Sequence, residues 1–485
     1  MKKLGLFITL CLLSMVIASC TKGQEKTCQE NPNQPKCLTS TTTTTEEEIK
    51  YDFGGKEYII MVNNPNYADP FSDEFEGLFQ RERQENQRRV EEKYNIKVVY
   101  KSFYPNPSWG VERDNFIINY EITGQPQAHV YNIPTSSIPI LAMNEVIAPV
   151  GKYYEKYAHE LFEYKKPFVK FKDNYYGYDD IFPNTNFGLY YNQDLLEELG
   201  YPKDYPTQLW LQGEWTWSTF ESFVKELNNK LDEREGEYPM GGRADDWAYG
   251  SVLANGGFFV NNSFEIGVNS KETLEALEKL ASLYASPGMW SSTVDFSYAT
   301  EENFKKGKIV FNPGESWHTF DISRLGGKEF ANLGFVPFPK GDQVVNGNAE
   351  YRTLVSIWGP ETYVFTASFE NTPEEYKHMI FSTEIIFKIF TELRYFGSVE
   401  DTYIDLSIHF LKYYADEASV DAHMSVIDKA YNDYFMGFGE DSFGWGAHHY
   451  NVQISNAIKQ NNVRQQMTIL EQNIRNAIEL LAQGR

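Results

Sequence analysis

The sequence is poor in cysteine and in positive charge, and it lacks long apolar runs after its first twenty residues. Its 485 residues include 4 cysteines, 44 lysines or arginines and 68 aspartates or glutamates, giving a formal net charge of −24. Phosphate backbones are bound by clustered basic residues, so we expect no binding to nucleic acid. No later run approaches the roughly 18 apolar residues of a membrane-spanning helix, so none is predicted there.

Common catalytic and cofactor motifs are also missing. The sequence has no phosphate-binding loop, no dinucleotide-binding glycine motif and no zinc-protease or EF-hand motif. Residues 314–318 (GESWH) begin like a nucleophile elbow, but His318 stands where the closing glycine belongs. The acidic pairs Asp179-Asp180 and Asp245-Asp246 could serve a glycosidase, although such pairs are usually solvated. We therefore predict no catalytic residue, no metal and no cofactor, and keep a surface glycoside-active enzyme as an alternative.

The N-terminus has the pattern of an export signal. Lys2 and Lys3 precede an uncharged apolar stretch, residues 4–18, which is too short for a membrane-spanning helix. Residues 17–20 (IASC) resemble a bacterial lipobox, in which the signal is cleaved before a cysteine that then carries lipid. The sequence thus predicts a signal peptide at 1–19, lipidation of Cys20, and attachment to the outer face of the cytoplasmic membrane. The alternative is a plain signal peptide followed by an incidental cysteine.

A polar tether follows the predicted anchor. Residues 20–50 are rich in Thr, Asn, Gln, Glu and Pro and lack apolar periodicity, so they predict a flexible linker. Cys28 and Cys37 lie in this segment and could form a disulfide in an exported protein. The alternative is two free thiols. Neither pattern predicts a metal site, since no paired ligands lie nearby.

The remaining chain alternates strand and helix patterns. Residues 57–62, 96–100 and 128–133 have the β-branched and aromatic composition of strands, and amphipathic stretches separate them. This alternation predicts an open α/β sheet with parallel pairing. Farther on, Ser218 with Glu221 fits a helix capping box, and Ser270 is a second candidate cap.

Aromatic residues are abundant and recur beside Gly, Asp and Asn in irregular segments. The chain has 33 Tyr, 34 Phe and 9 Trp. Trp247, Trp317 and Trp445 lie in such segments, where an indole could stack on the apolar face of a sugar ring. Neighbouring Asp, Glu, Asn or Arg could bind the hydroxyls at its rim by charge-assisted hydrogen bonds. For each tryptophan the alternative is a core position.

Several motifs together resemble the family 1 extracellular solute-binding proteins, which capture sugars for ABC importers. The resemblance includes residues 188–201 (GLYYNQDLLEELGY) and Trp215-Thr216-Trp217 with Phe220. It continues in the family's order through residues 304–317, which contain FKKGKIV and GESW, and residues 334–341 (GFVPFPKG). It ends with residues 443–445 (FGW) before a helical tail. These matches cover most of residues 55–485.

The resemblance implies an α/β, two-lobed periplasmic-binding-protein-like fold of type II, in which each lobe is an open sheet flanked by helices. The first lobe would hold residues 51–186 plus about 350–410, and the second 187–349 plus 411–485. A ligand would bind in the cleft between the lobes and be trapped by hinge closure. No chemical reaction is implied.

The implied function is that of a lipoprotein that captures a carbohydrate, with an oligosaccharide as the expected ligand, and delivers it to ABC transporter permease subunits. We expect a monomer. Trp317 and Trp445 match family positions that stack on sugars, while Asp180, Trp247 and Glu315 are predicted ligand contacts from loop context and polarity. A receptor for a non-sugar solute, such as a peptide or a phosphorylated polyol, is a further alternative.

Overall fold

The computed structural model describes residues 50–482, except 76–78, 104–109, 180–186, 292–298, 320–324, 326–331, 357–359, 370–372, 377, 379, 395–405, 409 and 436–449. Within these described ranges, no helix combines the length and the apolar character needed to cross a lipid bilayer.

The strands are short to medium in length and are spread along the whole chain. They are β1 Lys56–Val62, β2 Ile96–Ser102, β3 Val130–Pro134, β4 Lys170–Phe171, β5 Asn174–Tyr175, β6 Gly177–Tyr178, β7 Phe187–Asn192, β8 Tyr238–Met240, β9 Ile309–Glu315, β10 Leu333–Val336, β11 Thr353–Leu354, β12 Glu361–Phe365 and β13 Ala430–Tyr431.

Helices alternate with these strands and dominate the C-terminal end. They are α1 Pro65–Ala68, α2 Gln80–Tyr94, α3 Gly110–Ile122, α4 Ile138–Met143, α5 Tyr154–Tyr157, α6 Gln193–Glu198, α7 Tyr205–Leu211, α8 Trp217–Leu231, α9 Ala244–Ala254, α10 Lys271–Tyr284, α11 Ala299–Lys305, α12 Asp342–Val345, α13 Thr383–Leu393, α14 Glu417–Met424, α15 Tyr450–Lys459 and α16 Val463–Ala482. Single 3-10 turns lie at Thr135–Ser137, Gly151–Tyr153, Glu160–Tyr164, Lys166–Val169, Ser316–Thr319, Glu374–Tyr376 and Ile427–Lys429.

The first lobe is built around a five-stranded sheet with the strand order β2-β1-β3-β12-β6. β1 pairs in parallel with β2 and β3, whereas β12 runs antiparallel to β3 and β6. The parallel pairing predicted for the first three strands is therefore confirmed. β12 comes from a distant part of the chain and completes the sheet.

The core of the first lobe forms because one face of the amphipathic strands and helices is apolar. In β1, Tyr58 and Ile60 are fully buried, and Val90 and Tyr94 of α2 lie in the same hydrophobic core. Phe390 of α13 joins this core although it is far away in sequence. Burial of each such side chain stabilises the fold by about 1.5–3 kcal/mol.

The second lobe is built around a four-stranded sheet with the order β10-β7-β9-β8. Every residue of β7 and β9 is buried, as expected for strands covered on both faces. β7 ends at Asn192, whose Oδ1 accepts a hydrogen bond from the Leu195 N–H at 3.0 Å and caps α6. The family-like motif at residues 188–201 is thus a buried strand followed by a capped helix.

The predicted helix caps had mixed outcomes. Ser270 caps α10 as predicted, accepting a hydrogen bond from the Thr273 N–H at 3.2 Å. The prediction for α8 was wrong, because Thr216 rather than Ser218 is the N-cap and accepts from the Thr219 N–H. The helix therefore begins two residues earlier, which places Trp217 in its first turn, where this indole is buried.

β11 and β13 form a two-stranded parallel sheet. It lies close to the place where the chain passes from the second lobe back to the first. Leu354 of β11 packs in the core of the second lobe, and β12 of the first lobe begins seven residues later at Glu361. The lobe boundaries given from the sequence stay a prediction.

Candidate functional site

Polar residues collect at one edge of the sheet in the first lobe. The parallel strands β1 and β3 end at this edge, and the antiparallel strand β12 begins there because Glu361 pairs in register with Pro134. β6 also ends there, since Tyr178 pairs with Tyr363 near the start of β12. Ligands of open α/β sheets bind at the carboxyl ends of the strands. This edge carries Asn63, Thr135, Asp179 and Glu361.

The second lobe has a corresponding edge at the ends of β8 and β9. These strands are parallel, and Glu315 at the end of β9 pairs in register with Phe187 at the start of β7. Arg243 follows β8 and precedes α9. Both charged side chains are largely buried, with whole-residue exposures of 6% for Glu315 and 4% for Arg243. The edge therefore carries a buried carboxylate and a buried guanidinium near the strand ends.

The segment that leads from the second lobe to the first contacts both edges. The Ser356 hydroxyl lies 3.2 Å from each Glu315 carboxylate oxygen and donates to this group. Farther along the same segment, the Pro360 carbonyl accepts a hydrogen bond from the Thr135 N–H at 2.9 Å. The polar edges of the two sheets thus meet at a common linking segment.

The chain crosses between the lobes a second time at residues 430–435. This second crossing also forms hydrogen bonds with both lobes. Asn432 donates from Nδ2 to Thr135 Oγ1 at 3.0 Å. The ring of Tyr434 packs in the core of the second lobe, and its hydroxyl lies 3.0 and 2.8 Å from the carbonyls of Phe168 and Lys170 in the first lobe. The polar ends of Asn432 and Tyr434 therefore bond to the first lobe.

Asp433, between these two residues, anchors the crossing to the second lobe. Its carboxylate accepts hydrogen bonds from the backbone N–H groups of Phe259, Val260 and Phe435 at 2.8–3.0 Å. Burial raises the pKa of Asp433 to about 6, although the three N–H donors and Arg352 oppose this rise. The crossing therefore carries a carboxyl group that titrates near neutral pH.

The acidic pair of α9 is buried rather than solvated. Arg243 forms ion pairs with Asp245 and, at 3.7 Å, with Asp246. Ser455 of α15 lies 3.2 Å from Asp245 and donates to it. All three charged residues are at most 5% exposed. The usual solvation of acidic pairs does not apply here, because both carboxylates are buried and pair with the Arg243 guanidinium.

The predicted ligand residues have different placements. Glu315 lies at the polar edge of the second lobe, as described above. Trp247 is fully buried; its Nε1 donates to the Gly241 carbonyl at 2.6 Å, and its ring packs against Phe220 and Trp290. This is the core position named as the alternative, and the indole has no exposed face for a sugar. The sequence prediction assumed that Trp247 lies in a loop, whereas it lies in helix α9.

Other predicted site residues lie partly or wholly outside the described part of the chain. The backbone of Trp317 belongs to the 3-10 turn Ser316–Thr319, directly after Glu315, while its side chain is outside the described part. Trp445, Asp180, and the cysteines Cys20, Cys28 and Cys37 also lie outside the described residues. Their ligand, lipid and disulfide roles stay predictions.

Three polar residues of the site were missed by the sequence analysis: Arg113, Glu361 and Asn432. Arg113 on α3 donates from Nη1 to Asn63 Oδ1 at 2.9 Å, so it reaches the edge of the first sheet. The sequence contains only a weak signal for these residues, namely that Glu361 directly follows Pro360, which hints at the start of a strand. The three residues come close together only because elements far apart in sequence pack against one another.

The described residues show no metal-binding arrangement. No group of three or more His, Cys, Asp or Glu side chains among them could hold a metal ion. A separate groove of about 680 Å³ lies in the first lobe and includes Tyr154, Lys166 and Tyr175 in its lining. The Lys166 ammonium lies 5.9 and 5.6 Å from the two ring centroids. None of the predicted ligand residues lines this groove.

Comparison with protein families identifies the chain. A model for the bacterial extracellular solute-binding proteins matches residues 120–368, which is slightly more than half of the 485 residues. The chain belongs to this family. Membership confirms the family resemblance and a location outside the cytoplasm, and it places the chain among binding proteins of transporters.

Solved structures support the two-lobed fold. An ABC substrate-binding protein from Listeria monocytogenes in complex with cycloalternan matches with a TM-score of 0.55 and 15% identity, covering 88% of this chain and 99% of that chain. A solute-binding protein of an ABC transporter from Thermotoga lettingae, bound with α-D-tagatose, matches with a TM-score of 0.51 and 14% identity, covering 88% and 100%. The predicted fold class is confirmed. A search of the curated proteins gave no match.

Proposed function

We propose that this protein captures a carbohydrate between its two lobes and delivers it to the permease subunits of an ABC importer. The observation that carries the proposal is the meeting of two polar strand-end edges at the segments that link the lobes. A ligand in this position contacts both lobes, so its binding energy can favour the closed arrangement. The sugar ligands of the two similar solved structures support the ligand class.

The proposed ligand contacts come from both edges. Glu315 offers a buried carboxylate for sugar hydroxyls, and Trp317, two residues later, is proposed to stack on a ring. Trp445 and Asp180 are proposed contacts from the sequence resemblance and from loop context, respectively. Trp247 is not included, because its buried ring supports the core of the second lobe.

The proposed setting is the outer face of the cytoplasmic membrane. There a lipid on Cys20 and a linker through residue 50 would hold the two lobes near the permease. A tethered receptor has a high effective concentration at its transporter, since the linker limits the volume that it explores. In this proposal the protein acts as a monomer and needs neither metal nor cofactor.

A thermal-shift screen of the purified full-length protein tests the ligand class. The panel contains neutral mono- and oligosaccharides, including cycloalternan and D-tagatose, with dipeptides and a phosphorylated polyol as the competing classes. A ligand that binds only the folded state raises the melting temperature by mass action. We expect a shift with at least one neutral sugar. A shift only with peptides or the phosphorylated polyol would replace the carbohydrate proposal.

The enzyme alternative is tested with the same panel. Samples incubated for hours with each bound glycan are analysed for products, and we expect the glycan to be recovered intact. Hydrolysis that disappears in a Glu315→Gln variant would instead favour a glycoside-active enzyme.

A further inference from the structure

An exposed carboxylate lies above a buried guanidinium at the polar edge of the first lobe. Arg113 Nη2 is 3.9 Å from Glu361 Oε1, and the side chains are 1% and 46% exposed, respectively. At this distance the pair attracts electrostatically without forming a hydrogen bond. Among the described residues, no hydrogen bond to the Glu361 carboxylate is present, so its lone pairs can accept from another molecule.

The guanidinium itself is held in place by the first lobe. Arg113 Nη1 lies 2.9 Å from Asn63 Oδ1 and 3.4 Å from the Asn132 carbonyl, and donates to both. Its Cζ atom lies 5.5 Å from the centroid of the Phe103 ring. Within the described part of the chain, its buried Nε has no hydrogen-bond partner. Burying a guanidinium with one donor unpaired costs free energy.

The charges around Glu361 restrict what it can bind. Asp179 interacts with Glu361 electrostatically and is itself paired with Lys165 at 2.7 Å. An anionic ligand at Glu361 would meet two carboxylates, and a cationic ligand would meet the Arg113 guanidinium. A hydroxyl group fits best, because it is uncharged and donates a hydrogen bond to a carboxylate while it can accept another. The edge is therefore suited to a polyhydroxyl ligand.

We infer that Glu361 contacts a hydroxyl of the ligand, and that Arg113 is a positioning residue that holds this carboxylate charged and in place. This inference rests on the proposed function and adds the residues of the first lobe to it. Glu361 begins β12 directly after the segment that leaves the second lobe, so it lies next to the junction of the two lobes along the chain.

The pKa of Glu361 gives the arrangement a measurable consequence. Partial desolvation at the sheet edge and the Asp179 charge raise the pKa of Glu361, whereas Arg113 opposes this rise. Without the guanidinium, the carboxyl group becomes protonated at a higher pH. Ligand binding that requires the charged form is then lost earlier as the pH falls.

Glu361→Gln in the full-length protein is the first test, with the neutral oligosaccharide that gives the largest shift in the screen as the probe. The variant keeps the shape of the side chain but loses the charge-assisted hydrogen bond, so we expect Kd to rise about 10- to 100-fold. Glu57→Gln is the matched control, because Glu57 is 49% exposed and lies near the opposite end of β1. Its Kd should stay within about 2-fold of the wild-type value.

The outcomes separate this inference from the proposed function. If wild-type protein binds a neutral sugar and Glu361→Gln binds it with unchanged affinity, the inference is wrong and the proposed function stands. If no neutral sugar binds to the wild type, both are wrong. Equal melting temperatures of the Glu361 and Glu57 variants show that a change in Kd is not caused by unfolding.

A pH series of Kd tests the role of Arg113. We expect Arg113→Gln to move the midpoint of acid-induced loss of binding upward by about one pH unit, and Arg113→Lys to restore it largely. If the Arg113→Gln variant binds more weakly at every pH but has an unchanged midpoint, Arg113 has only a structural role. That result would overturn the positioning role inferred for Arg113. If Arg113→Gln does not fold, Arg113→Lys and Glu361→Gln still decide the inference.

Discussion

Two buried residues of the second lobe, Trp247 and Asp433, show how the surroundings of a side chain determine its role. Trp247 pairs its one polar atom with a backbone carbonyl and places its ring among other aromatic rings. Asp433 has three N–H donors, yet burial still raises its pKa. The first residue therefore contributes to stability at any pH, whereas the contribution of the second depends on pH.

Truncation of Trp247 should destabilise the second lobe. Trp247→Ala removes a fully buried indole, so we expect the free energy of unfolding to fall by about 3–5 kcal/mol in urea denaturation. Trp210→Ala is the control, because this indole is only partly buried at the surface of the same core. A loss no larger than that of the control would contradict a core role for Trp247.

The stability of the protein should depend on the ionisation of Asp433. Its folded-state pKa of about 6 lies above the ordinary value of 3.8, so the folded protein binds the proton more tightly than the unfolded chain does. The resulting stabilisation is present below about pH 4 and is lost as the pH rises through about 6. Relative to Asp433→Asn, the wild type should gain about 2–3 kcal/mol between pH 7 and pH 4.

Urea denaturation of both proteins at several pH values measures this difference. The Asn variant is the reference because it cannot ionise at this position. A difference between the two proteins that stays constant from pH 7 to pH 4 would show that the pKa of Asp433 is close to its ordinary value.

At the scale of elements, the beginnings of helices depend on single side chains. Ser270 and Asn192 satisfy backbone N–H groups in the first turns of α10 and α6. Thr216 does so for α8, two residues before the serine that fits the capping-box pattern. A capping pattern with several candidate hydroxyls is ambiguous, since the backbone conformation at the cap selects one of them.

Removal of the cap of α10 should have a modest cost. Ser270→Ala deletes the oxygen that accepts from the Thr273 N–H, so we expect a loss of about 1 kcal/mol in the free energy of unfolding. Ser270→Asp should keep most of the stability, because aspartate is also a good N-cap. Ser286→Ala, just after the same helix, is the control and should have a smaller effect.

At the scale of the whole molecule, two crossings of the chain bring the polar edges of the lobes together. Ser356 and Pro360 lie on one crossing, and Asn432 and Tyr434 on the other. Hydrogen bonds from these segments reach both lobes. Closure around a ligand would therefore act on the same segments that hold the lobes together, as in hinge motions of other two-lobed proteins.

Attachment to the membrane should depend on Cys20. Mass spectrometry of the mature protein should find Cys20 as a modified N-terminal residue, since residues 17–20 match a lipobox. Cys20→Ala should shift the protein from the membrane fraction to the soluble fraction, while Cys28→Ala should leave it with the membrane. An unmodified N-terminus at another position would contradict the lipoprotein prediction.

The sequence by itself determined the family, the fold class, the early strands and the cap at Ser270. These features depend on local patterns, such as apolar periodicity and short motifs, that are readable from neighbouring residues. Only the tertiary structure decided that Trp247 is a core residue and that Asp245 and Asp246 are buried in contact with Arg243. It alone also placed Arg113 beside Glu361, because their contact requires strands and helices nearly 250 residues apart to pack at one sheet edge.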